Sequence, residues 1–582
     1  MPLLRTLYGA DADGPALDLA DLAHSWAGRL AGFRPPPWDQ RDAILITYAD
    51  SVLAPGRKPL RALGEFLDRQ LGGSITGVHL LPFFPYSSDD GFSVVDYHRL
   101  RDELGDWNDV AELARRRRLA FDVVLNHASA SCPWIEADLA GHPDFERFAL
   151  RVDPGWDLSR VVRPRTSPLV HEFDSASGPV TLWTTFSRDQ IDLDYRNPRV
   201  LRTMAELVFQ YIARGASVLR LDALPYLWKQ SGTRCVHLPG THAVLQLLRL
   251  LVDRVAPGVR LLAETNAPFT DNLTYWGARG EGAHWIYDFS VGPLVLHALA
   301  TGDSGPLAEW AGAWAVPGDG SSNAMLHVTA THDGIGVRPT EGLLPPAAVA
   351  ALAEATRARG CHIGARTEPD GSEVPYELNI SWWDAVTAIE GEGGHGAGAL
   401  RRFITSQAIA LALRGVPGIY IHSLFGSRSD FDFWQATGHP RSVNRTRLAL
   451  PEVDRWLADP GCHQAQVFTA MRHLLQQRQG QPALDPRAGQ QVTAPGRGWL
   501  LIRRTPAAGA ATGELLGLTN FLDHGRMAPT LPTAAAGANE AGGWFDLIAL
   551  EPFSGPGSIP FAPWQTRWLV RPDSASGPPG LA

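Results

Sequence analysis

Short apolar runs recur along the chain and are separated by longer segments, several of which show helical periodicity. Continuous apolar runs of this length are typical of strands that are buried on both faces of a parallel sheet. Eight strands that alternate with helices predict a (β/α)8 barrel, which is an α/β fold. The predicted strands are Ala43–Tyr48, Gly77–Phe83, Ala120–Leu125, Ser217–Leu221, Val259–Ala263, His284–Phe289, Met325–Ala330 and Gly418–His422.

Two of the intervening segments show how the helices are predicted. After Thr241, which can serve as an N-cap, apolar residues from Val244 to Val255 follow the i, i+3, i+4, i+7 spacing, and Pro257 ends the pattern. A second helix is predicted to begin at Asp106. Its basic end, Arg115–Arg118, is interpreted as a solvated helix terminus that the helix dipole favours.

The uneven spacing of the strands predicts additions to the barrel. About 90 residues separate the third and fourth strands and about 85 separate the seventh and eighth, which is more than a loop and a helix need. We therefore expect a catalytic barrel over residues 41–490, with inserted subdomains at about 128–197 and 334–400.

The two ends of the chain have different patterns. Residues 1–40 are predicted to form a loose helical extension, and residues 573–582 a disordered tail. Residues 491–572 are predicted to form a C-terminal antiparallel β-domain. Its expected strands are Trp499–Arg504, Glu514–Phe521, Trp544–Leu550 and Arg567–Val570.

Composition and charge restrict the classes of function. The 582-residue chain has a formal net charge of −9 and is 45% hydrophobic and 19% charged, as is usual for a globular protein. No basic pattern points to nucleic acid or to an anionic membrane. No window of 18 uninterrupted apolar residues predicts a membrane span.

The cysteines and the N-terminus indicate the compartment. The four cysteines lie far apart and form no CxxC pair, which argues against a zinc ribbon or a disulfide framework and favours a reducing compartment. The N-terminus lacks the features of a signal peptide. We therefore expect a cytoplasmic protein, with no cofactor and no metal, because no ligand cluster has metal spacing.

Polar side chains follow five of the predicted strands. In a (β/α)8 barrel the active site lies at the carboxyl ends of the strands. Carboxylates and two histidines that meet at one rim therefore predict a catalytic site. The polar groups are Asp89-Asp90-Gly91-Phe92, Asn126-His127, Arg220-Leu221-Asp222, Glu264-Thr265-Asn266 and His332-Asp333.

Paired carboxylates suit glycosidic bond chemistry, in which one is ionised and attacks the sugar while the other donates a proton. Arg220 precedes Asp222 by two residues and shares its strand face, so we expect it to favour an ionised, nucleophilic Asp222. Glu264 has no cation beside it in sequence and is the candidate proton donor. Asp333 and the histidines would then bind sugar hydroxyls. The simpler alternatives are a structural Arg220–Asp222 pair, a helix cap at Glu264 and a turn at Asp89–Asp90.

These residues lie in motifs that resemble the alpha-amylase clan and, within it, the sucrose phosphorylase subgroup. The motifs occur in the family's order: HLLPFFPYSSDDGFSVVDY, VLNHAS, RPRTSP, WTTFSRDQIDLDY, LRLDA, ETN, THDGIG, PYELN and SVNR. The resemblance implies that Asp222 is a nucleophile that forms a covalent glucosyl ester. It also implies that Glu264 is the general acid/base and that Asp333 stabilises the transition state.

The resemblance implies binding residues as well. Arg165 matches an arginine associated with phosphate, and Arg163 lies beside it on the first inserted segment. A guanidinium presents a planar fork of donors that suits a phosphate dianion. The implied glucose-binding shell is Asp89, Phe92, His127, Phe186, Arg220, His332 and Arg445.

The chain departs from sucrose phosphorylases at the acceptor positions. Their acid/base Glu is typically followed at +2 by His, where this chain has Asn266, and their fructose loop Asp-Leu-Tyr-Gln is replaced by Val374-Pro375-Tyr376-Glu377. We assign Asn266, Tyr376 and Glu377 to the acceptor site. ETN followed by Pro268, PYELN, and GSRSD followed by SVNR look instead like the glucosylglycerate phosphorylases and the sucrose 6-phosphate phosphorylases. Between these two, the long N-terminal extension and SGTRCVHLPGTH favour the glucosylglycerate phosphorylases. Glycerate needs a nearby cation, and the candidates are Arg163, Arg165, Lys229 and Arg428.

The leading hypothesis is a retaining glycoside phosphorylase that converts 2-O-α-glucosylglycerate and inorganic phosphate into α-glucose 1-phosphate and glycerate by double displacement. A sucrose or sucrose 6-phosphate phosphorylase is the first alternative, and an α-glucoside hydrolase or transglucosidase is the second. A non-catalytic sugar-binding barrel is disfavoured, because all three catalytic carboxylates are present. The sequence leaves the oligomeric state open.

Overall fold

Eight parallel strands close into a barrel at the centre of the protein. The computed structural model describes residues 1–314, 323–367, 372–387, 397–506, 513–529, 543–553 and 559–571. The barrel strands are β1 (Ile44–Thr47), β2 (Gly77–Leu80), β3 (Arg118–Val124), β4 (Ala216–Asp222), β5 (Arg260–Ala263), β6 (Trp285–Asp288), β7 (Ala324–Val328) and β8 (Val416–Tyr420). They are hydrogen-bonded in sequence order, and β8 closes the barrel on β1. Each predicted strand overlaps one of these, and the predicted (β/α)8 fold is confirmed.

Helices follow the strands and cover the outside of the barrel. The helix predicted at Asp106 begins there, because the Asp106 carboxylate accepts hydrogen bonds from the backbone N–H groups of Asn108 and Asp109. The helix predicted to begin after Thr241 instead begins at Pro239, and the Thr241 hydroxyl accepts from the Trp228 backbone N–H. The covering helices are Pro59–Phe66, Trp107–Arg116, Pro198–Ala213, Pro239–Val255, Phe269–Leu273, Val291–Thr301, Gly305–Gly312, Ala397–Ala412 and His463–Gln479.

The N-terminal extension is packed against the barrel, so the expectation of a loose segment was wrong. Its helices Pro2–Tyr8 and Asp13–Arg29 bury apolar side chains against the barrel helices Pro198–Ala213 and Pro239–Val255. Trp26 is buried, and its ring centre lies 6.1 Å from that of Phe209. Sequence periodicity indicated the helices but not the surface on which they pack.

Both long connections between strands contain secondary structure of their own. The connection after β3 holds the helix Pro133–Leu139 and the antiparallel hairpin Val170–Ser175 and Gly178–Trp183. The connection after β7 holds a three-stranded sheet in which Glu373–Asn379 lies between Ile335–Gly336 and His362–Thr367. Helices Pro346–Arg357 and Trp382–Thr387 belong to the same connection. Both connections extend from the rim where the candidate site residues lie.

A six-stranded antiparallel sheet forms the C-terminal part of the described chain, as the sequence predicted. Its strands are β9 (Gly489–Thr493), β10 (Trp499–Thr505), β11 (Leu515–Asn520), β12 (Trp544–Asp546), β13 (Glu551–Phe553) and β14 (Gln565–Val570). They lie in the order β9–β10–β11–β14–β12–β13. The two edge strands were not predicted, because β9 has the mostly polar sequence GQQVT and β13 is only three residues long and contains a proline. The predicted tail lies outside the described residues.

The remaining helices lie in the connection between β8 and the C-terminal sheet. They are Phe431–Thr437, Leu450–Ala458 and the short helical turns around Pro440–Asn444. Within the ranges that the structure describes, no helix has both the length and the apolar character needed to cross a lipid bilayer.

Candidate active site

One cavity of about 780 Å³ opens at the carboxyl ends of the barrel strands. Asp222 is the last residue of β4, and Glu264 directly follows β5. Asp333 lies in the loop after β7. The sequence-predicted residues that line this cavity are Asp89, Phe92, His127, Arg165, Phe186, Arg220, Asp222, Glu264, Asn266, His332, Asp333, Tyr376 and Glu377. The predicted rim site is therefore a single cavity in the structure.

Arg220 lies between the two candidate catalytic carboxylates. Its Nη1 is 2.8 Å from Asp222 Oδ1, and its Nη2 is 3.9 Å from Glu264 Oε1. The same guanidinium pairs with Asp122, whose other oxygen is 2.7 Å from His79 Nε2. These contacts fix the orientation of Arg220 from beneath the cavity.

A strained turn brings Glu264 to the end of β4. Ala223 follows Asp222 and has a φ of 51°, a left-handed conformation that costs a non-glycine residue free energy. In this conformation its backbone N–H donates a 2.9 Å hydrogen bond to Glu264 Oε2. Glu264 therefore contacts both Arg220 and the backbone beside Asp222.

Burial raises the pKa of both Asp222 and Glu264, and Arg220 opposes the rise. The sequence led us to expect that Arg220 would dominate and hold Asp222 ionised. The predicted contact between Arg220 and Asp222 exists. The expected direction of the pKa shift was wrong, because the loss of hydration on burial raises the pKa of Asp222 more than the guanidinium lowers it. Two neighbouring buried carboxylates therefore compete for protons and titrate as a pair.

Asp333 has the opposite electrostatic environment. Arg441 Nη1 is 2.6 Å from Asp333 Oδ1, and Arg445 Nη2 is 3.6 Å from the same atom. Burial works against ionisation, but the arginines prevail and lower the pKa of Asp333. Arg441 also donates two hydrogen bonds, of 2.9 and 2.6 Å, to the Glu377 carboxylate. Asp333 is thus held ionised, unlike Asp222 and Glu264.

Aromatic rings and histidines form one wall of the cavity. The rings of Phe92 and His332 are stacked with centres 5.1 Å apart. His127 Nε2 lies 2.9 Å from the Phe92 carbonyl oxygen, and its ring centre is 5.1 Å from that of Phe186. Burial lowers the pKa of His127 and His332, so both imidazoles are neutral near pH 7 and suit hydrogen bonding to hydroxyl groups.

Asp89 and Asp90 both adopt positive φ, with values of 55° and 47°, and their roles differ. Asp89 lines the cavity and accepts a 3.0 Å hydrogen bond from Gln190 Nε2. Asp90 instead pairs with Arg445, whose Nε donates to the His332 carbonyl oxygen at 2.8 Å. Arg445 does not line the cavity itself but supports His332 and Asp333 from behind.

Three of the arginines and lysines predicted to bind anions do not reach the cavity. Arg163 donates to the carbonyl oxygens of Thr166 and Ser167 within its own loop. Lys229 is buried in a pair with Asp192 and donates to Asn126 Oδ1 at 2.8 Å. Neither Arg163, Lys229 nor Arg428 is among the lining residues. Arg165 does line the cavity and lies over the Phe186 ring.

Sequence reasoning missed two arginines that do line the cavity, Arg338 and Arg441. Arg338 follows the THDGIG motif by two residues, and Arg441 directly precedes SVNR. Their position beside family motifs was the available signal. The acceptor residues assigned from the sequence are near them, since Glu377 pairs with Arg441 and the Asn266 carbonyl oxygen lies 3.4 Å from Arg338 Nη1.

The arrangement is suited to chemistry by carboxylates and arginines. Within the described part of the chain, no group of three or more histidine, cysteine, aspartate or glutamate side chains is arranged to hold a metal ion. The cavity offers a coupled pair of buried carboxylates, a third carboxylate held ionised, and several guanidinium groups. This set can transfer a glycosyl group and can bind an anion.

Comparison with known proteins agrees with this chemistry. The alpha-amylase catalytic domain family matches residues 69–301. A glucosylglycerate phosphorylase of Spirochaeta thermophila is 44% identical over 89% of this chain and 88% of its own length. The Escherichia coli glucosylglycerate phosphorylase is 38% identical over 91% of this chain and 92% of its own. The crystal structure of sucrose 6F-phosphate phosphorylase from Thermoanaerobacter thermosaccharolyticum has a TM-score of 0.70 and 22% identity, with 83% and 94% of the two chains covered. The chain therefore belongs to the alpha-amylase family, in the sucrose phosphorylase subgroup of glycoside phosphorylases.

Proposed function

We propose that this enzyme transfers the glucosyl group of 2-O-α-glucosylglycerate to inorganic phosphate, reversibly and with retention at the anomeric carbon. The products are α-glucose 1-phosphate and glycerate. The observation that carries the proposal is one cavity in which two carboxylates share the Arg220 guanidinium while further arginines line the same space. The names of the two relatives described above support the choice of substrate.

In the first step the Asp222 carboxylate attacks the anomeric carbon, and the bond to O2 of glycerate breaks. Glu264 donates its proton to the departing oxygen, so glycerate leaves with a hydroxyl group and glucose remains as an ester on Asp222. Arg220 supports this division of roles. Its contact with Asp222, at 2.8 Å, is shorter than its contact with Glu264, at 3.9 Å, so within the pair Arg220 favours the reactive form in which Asp222 is ionised and Glu264 carries the proton.

In the second step an oxygen of monohydrogen phosphate attacks the same carbon, and the bond to Asp222 breaks. Glu264, now ionised, takes the proton of the phosphate, which returns both carboxylates to their starting states. Each displacement inverts the anomeric carbon, so the two together give retention. The ionised Asp333 would stabilise the positive charge that develops on the sugar ring in both steps.

Phosphate must enter a cavity that already contains several carboxylates. Arginines compensate for this charge, since a guanidinium offers a phosphate dianion two parallel hydrogen bonds. Arg165 lies in the cavity, and no carboxylate of the described residues is within 4 Å of it. We therefore assign Arg165 to phosphate.

The acceptor side of the cavity does not favour fructose. Glu377 stands where sucrose phosphorylases typically have a glutamine, and both of its oxygens accept hydrogen bonds from Arg441. Unlike the amide of a glutamine, this carboxylate has no N–H group to donate to a sugar hydroxyl, and both of its oxygens already accept from Arg441. Glycerate instead needs a cation, which this cavity has.

The proposal includes a cytoplasmic location, with phosphate and a small glucoside as partners. All four cysteines, Cys132, Cys235, Cys361 and Cys462, are free thiols. Free thiols are usual for proteins of a reducing compartment.

The test is an acceptor screen with α-glucose 1-phosphate as the donor. Purified enzyme receives glycerate, glycerol, fructose or fructose 6-phosphate, and phosphate release and free glucose are both measured. The proposal predicts fast phosphate release with glycerate and little free glucose. Release with fructose 6-phosphate but not with glycerate would reject the acceptor, and free glucose without any acceptor would indicate a hydrolase.

A further inference from the structure

Arg338 is a buried cation whose charge is poorly compensated. It is 4% exposed and lines the active-site cavity. Among the described residues, the only carboxylate within 4 Å is Glu341, at 3.9 Å from Nε, and Glu341 makes a shorter 2.8 Å pair with Arg366. The Nε atom makes no hydrogen bond within the described part of the chain, and the Nη1 contact with the Asn266 carbonyl is long, at 3.4 Å.

Two of the other arginines that line the cavity differ from Arg338 in this respect, and the third, Arg165, is only partly buried. Arg441 is paired with both Asp333 and Glu377, at 2.6 Å in each case. Arg220 contacts Asp122 and Asp222. Arg338 has the neutral Tyr226 hydroxyl and the Asn266 carbonyl oxygen beside it instead. Neutral partners compensate a buried guanidinium less than a close carboxylate does, which favours binding of an anion from solution.

The groups around Arg338 are suited to a small hydroxylated anion. Tyr226 and Tyr376 line the same cavity, and Arg338 opposes the rise that burial causes in the pKa of each phenol. His237 also lines the cavity, and its Nδ1 lies 2.7 Å from the Tyr275 hydroxyl, while its buried Nε2 makes no hydrogen bond within the described chain. Burial lowers the pKa of His237 to about 3, so this nitrogen belongs to a neutral ring.

The segment that carries His237 has a strained backbone, which its surroundings hold in place. His237 has a φ of 56°, and Cys235, two residues earlier, has a φ of 51°. The His237 backbone N–H donates a 3.1 Å hydrogen bond to the Pro225 carbonyl oxygen, which ties the strained segment to the turn after β4. Strain of this kind persists only where the surroundings hold it, and it is concentrated at ligand sites.

Resting on the proposed function, we propose that Arg338 binds the carboxylate of glycerate and that His237 contacts the same acceptor. Glucose is attached at O2 of glycerate, so the carboxylate is bonded to the carbon that carries the reacting oxygen. Its cation must therefore lie in the active-site cavity and not at a distant surface. Arg338 meets this requirement, and it makes the enzyme specific for a charged three-carbon acceptor over glycerol.

The test compares D-glycerate with glycerol, because the two differ by a carboxylate in place of a hydroxymethyl group. With α-glucose 1-phosphate as donor, kcat/KM is measured for both acceptors in the wild type, Arg338→Gln, Arg338→Lys and His237→Gln. Arg338→Gln is expected to lower kcat/KM for glycerate by about 100-fold, mainly through KM, and that for glycerol by less than about 5-fold. Arg338→Lys should recover part of the loss, since it keeps the charge but not the planar fork.

Isotope exchange between labelled phosphate and α-glucose 1-phosphate separates this inference from the proposed function. The exchange uses the glucosyl-enzyme but no glycerate, and its absence in the wild type would reject the phosphorylase itself. If Arg338→Gln loses exchange and both acceptors equally, Arg338 serves phosphate or the fold, and the inference is wrong. An unchanged ratio of glycerate to glycerol activity also overturns it.

The control variant is Arg357→Gln, because Arg357 lies exposed on the helix Pro346–Arg357.

Discussion

Asp222 and Glu264 contact the two ends of one guanidinium group, since Arg220 Nη1 is 2.8 Å from Asp222 and Nη2 is 3.9 Å from Glu264. This shared cation holds two buried carboxylates near each other at the end of β4 and limits the cost of doing so. It also makes them unequal, because the contact with Asp222 is much the shorter. The unequal pair is the basis for assigning a nucleophile and a proton donor.

If Glu264 is the proton donor, the rate that is lost on replacing it should depend on the leaving group of the donor. Glu264→Gln should lower phosphorolysis of glucosylglycerate by about 100-fold to 10,000-fold, because the glycerate oxygen then leaves without a proton. α-Glucosyl fluoride needs no proton to leave, so its reaction should lose far less. Steady-state rates with both donors provide the measurement. Equal losses with the two donors would remove Glu264 from the role of acid.

The role of Asp222 predicts a loss that no donor rescues. Asp222→Ala should reduce turnover of glucosylglycerate and of α-glucosyl fluoride by several orders of magnitude, because no other group can form the ester. Circular dichroism and thermal melting would verify that the variant is folded. If turnover falls only modestly with either donor, another residue is the nucleophile.

The raised pKa of Asp222 predicts how stability depends on pH. The folded protein holds a proton on the Asp222–Glu264 pair that the same carboxyls of the unfolded chain release near pH 4. This contribution to the free energy of unfolding is complete below that pH and is lost as the pH rises through the raised folded pKa. Asp222→Asn cannot ionise, so it removes the part of this pH-dependent loss of stability that comes from Asp222. Arg220 stays paired with Asp122 in the variant.

The Tm of Asp222→Asn should therefore exceed that of the wild type by more at pH 8 than at pH 5. Calorimetry in matched buffers measures the difference. Glu354→Gln is the control, because Glu354 is exposed on a helix surface. A difference in Tm that does not change between the two pH values would show that burial does not dominate at Asp222.

The pair of Arg441 and Glu377 predicts a strong energetic coupling. Arg441→Met leaves Glu377, whose side chain is 4% exposed, without its cation, which should cost about 3–5 kcal/mol of stability. Arg441→Met combined with Glu377→Gln should be less destabilised than Arg441→Met alone. Urea unfolding of the wild type, both single variants and the double variant measures the coupling. Additive effects would mean that the two side chains are not coupled in solution.

The sequence was sufficient to predict the barrel and much of the cavity. Buried parallel strands produce continuous apolar runs, and each strand end is followed directly by its polar residues, as at Asp222 and Glu264. Both signals are local in sequence. The shared rim then follows from the fold, because all the carboxyl ends of a parallel barrel face the same side.

The features that the sequence did not predict depend on contacts between distant segments. Arg441 pairs with Glu377 across 64 positions, and Lys229 is committed to the buried Asn126 across 103. No periodicity reports such pairs, so Lys229 was an acceptor candidate while Arg441 and Arg338 were missed. The pKa of Asp222 was misjudged for a related reason, because a neighbouring arginine is visible in sequence and burial is not.

The most direct test of the account is to trap the glucosyl ester. Glu264→Gln treated with α-glucosyl fluoride should accumulate it, because the variant can form the ester but activates the second nucleophile poorly. Mass spectrometry of peptides is expected to find one added glucosyl group on the peptide that contains Asp222, and added phosphate should discharge it as α-glucose 1-phosphate. A glucosyl group on another residue, or an ester that water discharges as fast as phosphate does, would contradict the account.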